Sequence, residues 1–259
     1  MLTGCLSDVP GRAEVIVNLD GSFSGAAHVR FDIQARIDES MSLDVTYPAD
    51  ESGTPTGGPF PVVVMVQGGL VSADRYRWLC THFAARGYVC VIPGHFAELA
   101  VFEADNAIIA LNGLVRQASK NNVIKGIVNA DSAAAVMGHS LGGVIATWQW
   151  ESHERFKALA LLASYPSEKT IKRAGPVLSV TGSEDAKTHV DQAREGLEKF
   201  SEPRQFAVID GMSHYDWTDG ANEGELASGG ASTRSLDDVR ADAETVLDAF
   251  LDLYLKGAR

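Results

Sequence analysis

The chain has 259 residues, 45% of them hydrophobic, and a formal net charge of −12. That length supports a large core and one α/β domain, taken as residues 1–259. The charge argues against nucleic acid and anionic membrane surfaces as partners, and no apolar run is long enough to span a bilayer.

At the start, "LTGC" (Leu2–Cys5) resembles a bacterial lipoprotein cleavage box in which Cys5 would be lipidated. The charged and apolar regions that normally precede such a box are missing. A genuine box implies a secreted or lipid-anchored protein, and otherwise a cytoplasmic one. The other cysteines, Cys80 and Cys90, show no metal spacing and no C-x-x-C. They fall in a predicted helix and a predicted buried strand, which assigns them to packing and leaves a bridge as the alternative.

"HVRFDIQARI" at 28–37 alternates, with Val29, Phe31, Ile33, Ala35 and Ile37 on one face. Leu43, Val45 and Tyr47 repeat the pattern, so an antiparallel edge hairpin is expected. After a Gly/Pro-rich loop at 49–61, the uniformly apolar "VVVMV" at 62–66 reads as a strand covered on both faces, and further strands are expected at 88–92, 133–137, 158–163, 176–181 and 205–209. Between them the spacing predicts helices over 73–86, 105–119, 141–154 and 190–200. Residues 218–233 read as a long polar loop. A last helix runs from about 236 to 255, capped by Ser235 with Asp238, its stripe being Val239, Ala243, Val246, Leu247, Phe250 and Leu253. This grammar is that of a doubly wound, mostly parallel α/β sheet with an N-terminal antiparallel edge hairpin and no room for a cap domain.

In such sheets sites lie beyond the carboxyl ends of the strands. The polar residues there are Gln67 with Gly68 and Gly69, then His95, His139 with Ser140, Ser164 with Tyr165, Glu184 with Asp185, and Ser213 with His214. Gly138, Ser140 and Gly142 form a G-x-S-x-G between a strand and a helix. The bare motif is weak, since about 0.2 matches arise by chance in such a chain. A serine hydroxyl needs a base, and that base needs a carboxylate to hold its tautomer. Ser140, Asp185 and His214 occur in that order, each just past a strand end. Glu184, Asp191 and Asp210 are alternative acids. The expected oxyanion donors are the N–H of Leu141 and that of Leu70, with Gly69 beside it. His139, Tyr165, His95 and Gln67 are candidate pocket residues. This chemistry requires no cofactor and no metal.

These stretches together resemble the α/β-hydrolases from Met41 to Leu255, through "YPAD…GPFPVVVMVQGG", "FAARGYVCVIPGH", "AAAVMGHSLGG", "PVLSVTGSED" and "VIDGMSH". Within that superfamily the chain is most similar to the capless serine esterase branch of polyester-cleaving cutinases, chlorophyllases and platelet-activating-factor acetylhydrolases, with dienelactone hydrolases further off. The resemblance implies a cofactor-free serine carboxylesterase acting through an acyl-enzyme. Its expected partner is a small short- to medium-chain ester or a polymer chain end, and its favoured state a monomer. Three positions depart from the branch. Gln67-Gly68 stands where relatives often carry His or Ser-Pro, Leu70 where polyesterases have an aromatic, and Tyr165 where they have Trp. These departures weaken the implication of polyester cleavage and leave that of ester hydrolysis. Dienelactone hydrolases use cysteine as nucleophile, against which Ser140 argues. A lyase or acyltransferase would use the same triad, and a silent binding module would not need it.

Overall fold

The computed structural model describes residues 14–17, 23, 25–95 and 103–257. The strands are β1 (Glu14–Val17), β2 (Gly25–Arg36), β3 (Glu39–Pro48), β4 (Val62–Val66), β5 (Val89–Pro93), β6 (Ala134–His139), β7 (Phe156–Leu162), β8 (Val177–Gly182) and β9 (Arg204–Ile209). They form one sheet in the order β1-β2-β3-β5-β4-β6-β7-β8-β9. Pairing is antiparallel from β1 to β5 and parallel from β5 through β4 to β9. The box at Leu2–Cys5 lies outside the described residues.

The strands β4, β5 and β6 are buried throughout because helices cover both faces of the sheet, while the edge strand β9 is only partly covered. Helices α1 (Arg77–Ala85) and α6 (Leu236–Leu251) pack on Val63, Met65, Ala135 and Met137. Helices α2 (Asn106–Ala118), α3 (Leu141–Ser152) and α4 (Val190–Leu197) lie on the other face; Leu111, Trp150 and Leu197 share its core with Val64, Val136 and Leu159. The odd and even positions of each strand thus enter different cores.

The edge hairpin forms with Val29, Phe31 and Ile33 buried and Arg30, Asp32 and Gln34 exposed between them. Arg30 stands opposite Asp44 and grips it through two hydrogen bonds of 2.7 Å. Ile37 does not belong to the buried face: it is 89% exposed. The β2–β3 register shifts between Gln34 and Arg36, which breaks the alternation before the turn.

Four other expectations change. β1 adds a short antiparallel strand outside the hairpin. The segment 218–233 contains α5 (Glu223–Gly229), capped by Asn222, which accepts from Glu225 N at 3.0 Å. Leu253 is exposed, because a π-helical turn over Asp252–Lys256 rotates it off the α6 stripe. Cys80 and Cys90 are joined in a disulfide, so they tie α1 to β5 as well as packing there. No helix among the described residues is long and apolar enough to cross a membrane.

Candidate active site

One residue, Ser140, separates β6 from α3. Its φ of 52° and ψ of −123° put it in a region that costs an ordinary residue of order 1–3 kcal/mol. Tertiary bonds hold it there. Ser140 N donates to Leu162 O at 2.9 Å, and Ser140 O accepts from Ser164 Oγ at 2.6 Å and Gly143 N at 3.0 Å. A side chain at Gly142 would lie 2.3 Å from Val66 O, so only glycine lets α3 start against the end of β4. The first N–H groups of α3 have no partner within the helix, and Leu141 is the first of them.

Sheet order sets the neighbours of Ser140. β4 lies on one side of β6, and β7, β8 and β9 follow on the other. Gly69 and Leu70 form a turn after β4, with Val71 N donating to Gly68 O at 3.2 Å. Leu70 also has positive φ, at 61°, and its side chain is 71% exposed. Two non-glycine residues with positive φ, Leu70 and Ser140, thus follow the ends of the neighbouring strands β4 and β6.

Asp185 follows β8 and His214 follows β9. Both are buried, and His214 Nδ1 lies 3.0 Å and 2.9 Å from Asp185 Oδ1 and Oδ2. Asp185 Oδ1 also accepts from Lys187 N at 2.8 Å and Thr188 N at 2.7 Å. A carboxylate oxygen that takes these N–H donors acts as an acceptor, so Nδ1 is the donor to it. Nε2 of a neutral His214 is thereby left with its lone pair. Of the four candidate acids, Asp185, Glu184, Asp191 and Asp210, the fold brings Asp185 to His214. Glu184 instead accepts from Ser183 Oγ at 3.0 Å, and Asp191 and Asp210 are exposed.

His139 does not line an open pocket. Like Ala135 and Met137 it points to the α1 side of the sheet, and it is fully buried. Its Nδ1 is 2.8 Å from Tyr76 Oη, which also accepts from Gly68 N at 2.8 Å. Its Nε2 is 3.1 Å from His214 O. A carbonyl only accepts, so Nε2 carries the proton and Nδ1 accepts from Tyr76. Burial pushes the His139 pKa well below the usual histidine range and that of Tyr76 upward. His139 is thus a neutral link beneath the site, and its ring lies 4.8 Å from that of His214. Tyr76 carried no sequence signal, because its role depends on a contact 63 residues away.

Gln67 is likewise fully buried, with the inward parity of Val63 and Met65. The His95 side chain is 1% exposed, and burial pushes its pKa down to about 4. It borders a polar cavity of about 910 Å3 with His28, Arg30, Ser42, Asp44 and Arg77, and neither Ser140, Asp185 nor His214 lines that space. Of the four pocket candidates, Tyr165 alone presents a substantial surface, 38% of its area. Among the described residues no group of three or more His, Cys, Asp or Glu side chains is placed to hold a metal ion.

Residues 62–235 match the family model of the alpha/beta hydrolase family. The chain is 24% identical over 187 residues to a Yersinia pestis protein provisionally named a carboxymethylenebutenolidase, covering 61% of this chain and 68% of that one. Its fold is similar to that of a ferulic acid esterase from Streptomyces cinnamoneus, with a TM-score of 0.67, 17% identity and 89% of each chain covered.

Proposed function

The chain belongs to the alpha/beta hydrolase family, and we propose that it is a serine carboxylic-ester hydrolase. The observation that carries this reading is the buried Asp185–His214 pair after β8 and β9, in the sheet whose strand β6 runs directly into a serine in a strained turn. In this reading Ser140 Oγ attacks the acyl carbon while His214 Nε2 takes its proton. The developing oxyanion is held by the N–H groups of Leu141 and Leu70, with Gly69 adjacent. Collapse expels the alcohol, protonated by His214, and leaves Ser140 acylated. A water then gives its proton to His214 and attacks the acyl carbon, releasing the acid and free Ser140.

The rim supports an accessible, partly apolar substrate. Leu70 after β4 and Tyr165 after β7 are both exposed on opposite sides of the strand that bears Ser140. Short- to medium-chain esters fit this rim, and the name of the ferulic acid esterase agrees with an ester as substrate. A polymer chain end is the second reading, favoured by the same two exposed side chains. The Cys80–Cys90 bridge favours an oxidising compartment, as does a genuine box at Leu2–Cys5.

A fluorophosphonate should label Ser140, and a panel of p-nitrophenyl esters of graded acyl length, with a polyester film, should show turnover that Ser140→Ala abolishes. Folded protein that neither labels nor cleaves any of them would overturn the reading.

A further inference from the structure

We propose that Arg75 is a positioning residue which, by gripping Glu225, holds the segment 218–233 across the loops that carry the oxyanion donors, the acid and the base. The inference rests on the esterase reading of the same site. Arg75 lies in the 3₁₀ turn Ala73–Tyr76 just after Leu70 and immediately before Tyr76, the partner of Gly68 and His139. Its guanidinium meets Glu225 fork to fork, Nη1 to Oε1 at 2.8 Å and Nη2 to Oε2 at 3.0 Å. It also donates to Asp219 O at 2.6 Å and Thr218 Oγ1 at 2.9 Å, while Arg75 O accepts from Asp219 N at 2.9 Å. One side chain thus closes both ends of a stretch that starts next to the base loop.

Glu225 does two jobs in this contact. Its Oε2 also accepts from Asn222 N at 2.9 Å, which completes the cap of α5. The Arg75 hydrogen bond holds its carboxyl below the usual range. The far end of α5 then lands on the catalytic loops. Gly229 O accepts from Ala186 N, beside Asp185, at 3.1 Å. A Cβ at Gly230 would lie 1.8 Å from Glu184 O, and one at Gly229 would press on Tyr215 and come within 3.2 Å of His214 Cβ. Bare backbone therefore packs on the acid and base loops, and the pair at its other end, with side chains only 16% and 15% exposed, ties that backbone to the oxyanion loop.

A geometric role predicts a loss in kcat rather than in binding, since misplacing catalytic groups by about 1 Å can cost up to ~100-fold. The test compares wild type with Glu225→Gln, Arg75→Lys and the surface control Leu226→Ala on the same helix. Active sites are counted by fluorophosphonate titration, with p-nitrophenyl butyrate as substrate. Glu225→Gln and Arg75→Lys should lower kcat per titrated site about 10-fold or more with KM changed less than about 3-fold, and Leu226→Ala should match wild type. Both variants should also move the downfield NMR resonance of the His214 Nδ1 proton, a readout independent of turnover. Unchanged kcat and an unmoved resonance in folded variants of an active wild type would overturn the proposal alone. An inactive, unlabelled wild type would overturn the esterase reading, with the resonance still deciding whether Arg75 positions His214.

Discussion

His139 donates its Nε2 proton to the main-chain oxygen of His214, at 3.1 Å. The residue before Ser140 thereby holds the backbone of His214. The same ring accepts from Tyr76, which in turn receives the N–H of Gly68. The loop after β4, the turn at Ser140 and the loop that carries His214 are joined by one buried chain of hydrogen bonds, and such chains are costly to leave half made.

Tyr76→Phe keeps the shape and deletes the shared hydroxyl. Gly68 N and His139 Nδ1 lose their partner together, at a cost of about 1–3 kcal/mol for each group left unpaired in the interior. Urea unfolding should register this loss, and kcat should fall more than KM rises. A variant as stable and active as wild type would remove this chain from the account of the site.

Asp185→Asn should lower kcat by about 10⁴-fold while leaving the fold intact. The amide can still accept from Lys187 N and Thr188 N, but its NH2 then faces His214 Nδ1. That forces the proton onto Nε2 and removes the base. Steady-state kinetics with circular dichroism checks both halves. Near wild-type kcat would return the acid role to another carboxylate.

Stability should fall with acid in a window set by the buried histidines. The folded pKa of His95, about 4, lies below its unfolded value near 6.5, so the unfolded chain binds more protons between the two. Its contribution is fully present above about pH 6.5 and is lost as pH falls toward 4, to a total of up to about 3 kcal/mol. His139, lowered by burial in the same direction, adds to the slope. Thermal unfolding of His95→Gln from pH 7 to pH 4 should show a shallower decline than wild type, and parallel curves would contradict this.

The Cys80–Cys90 bridge closes a loop of sequence separation 10. By loop-closure entropy it contributes about 2–3 kcal/mol, so Cys80→Ala with Cys90→Ala should lower Tm by about 5–10 °C. Calorimetry of oxidised wild type against the double variant measures it. An equal Tm would mean that the bridge contributes nothing to stability in solution.

The legible part of this protein is the part written in local periodicity. Uniform apolar runs such as "VVVMV" became β4, and the strict alternation around Phe31 became β2. Strand ends place polar residues on one rim, so Ser140, Asp185 and His214 stood out before any coordinates. What did not show was set by distant partners. The polar run at 218–233 hid α5, because the residue that grips it, Arg75, is 150 positions from Glu225. Gln67 and His139 looked like rim residues, and strand parity turned both inward.

The sequence by itself determined the layered α/β architecture and the order of the candidate nucleophile, acid and base, because side-chain period and strand length are local properties. Tertiary structure alone decided that Asp185 rather than Glu184, Asp191 or Asp210 meets His214. It decided too that His139 is a neutral link beneath Ser140 and His214, and that α5 is tied to Arg75 at one point and to the Asp185 loop at its end. Those outcomes depend on which hydrogen-bond partners meet in a dry interior, and no stretch of chain carries that information before the sheet has closed around it.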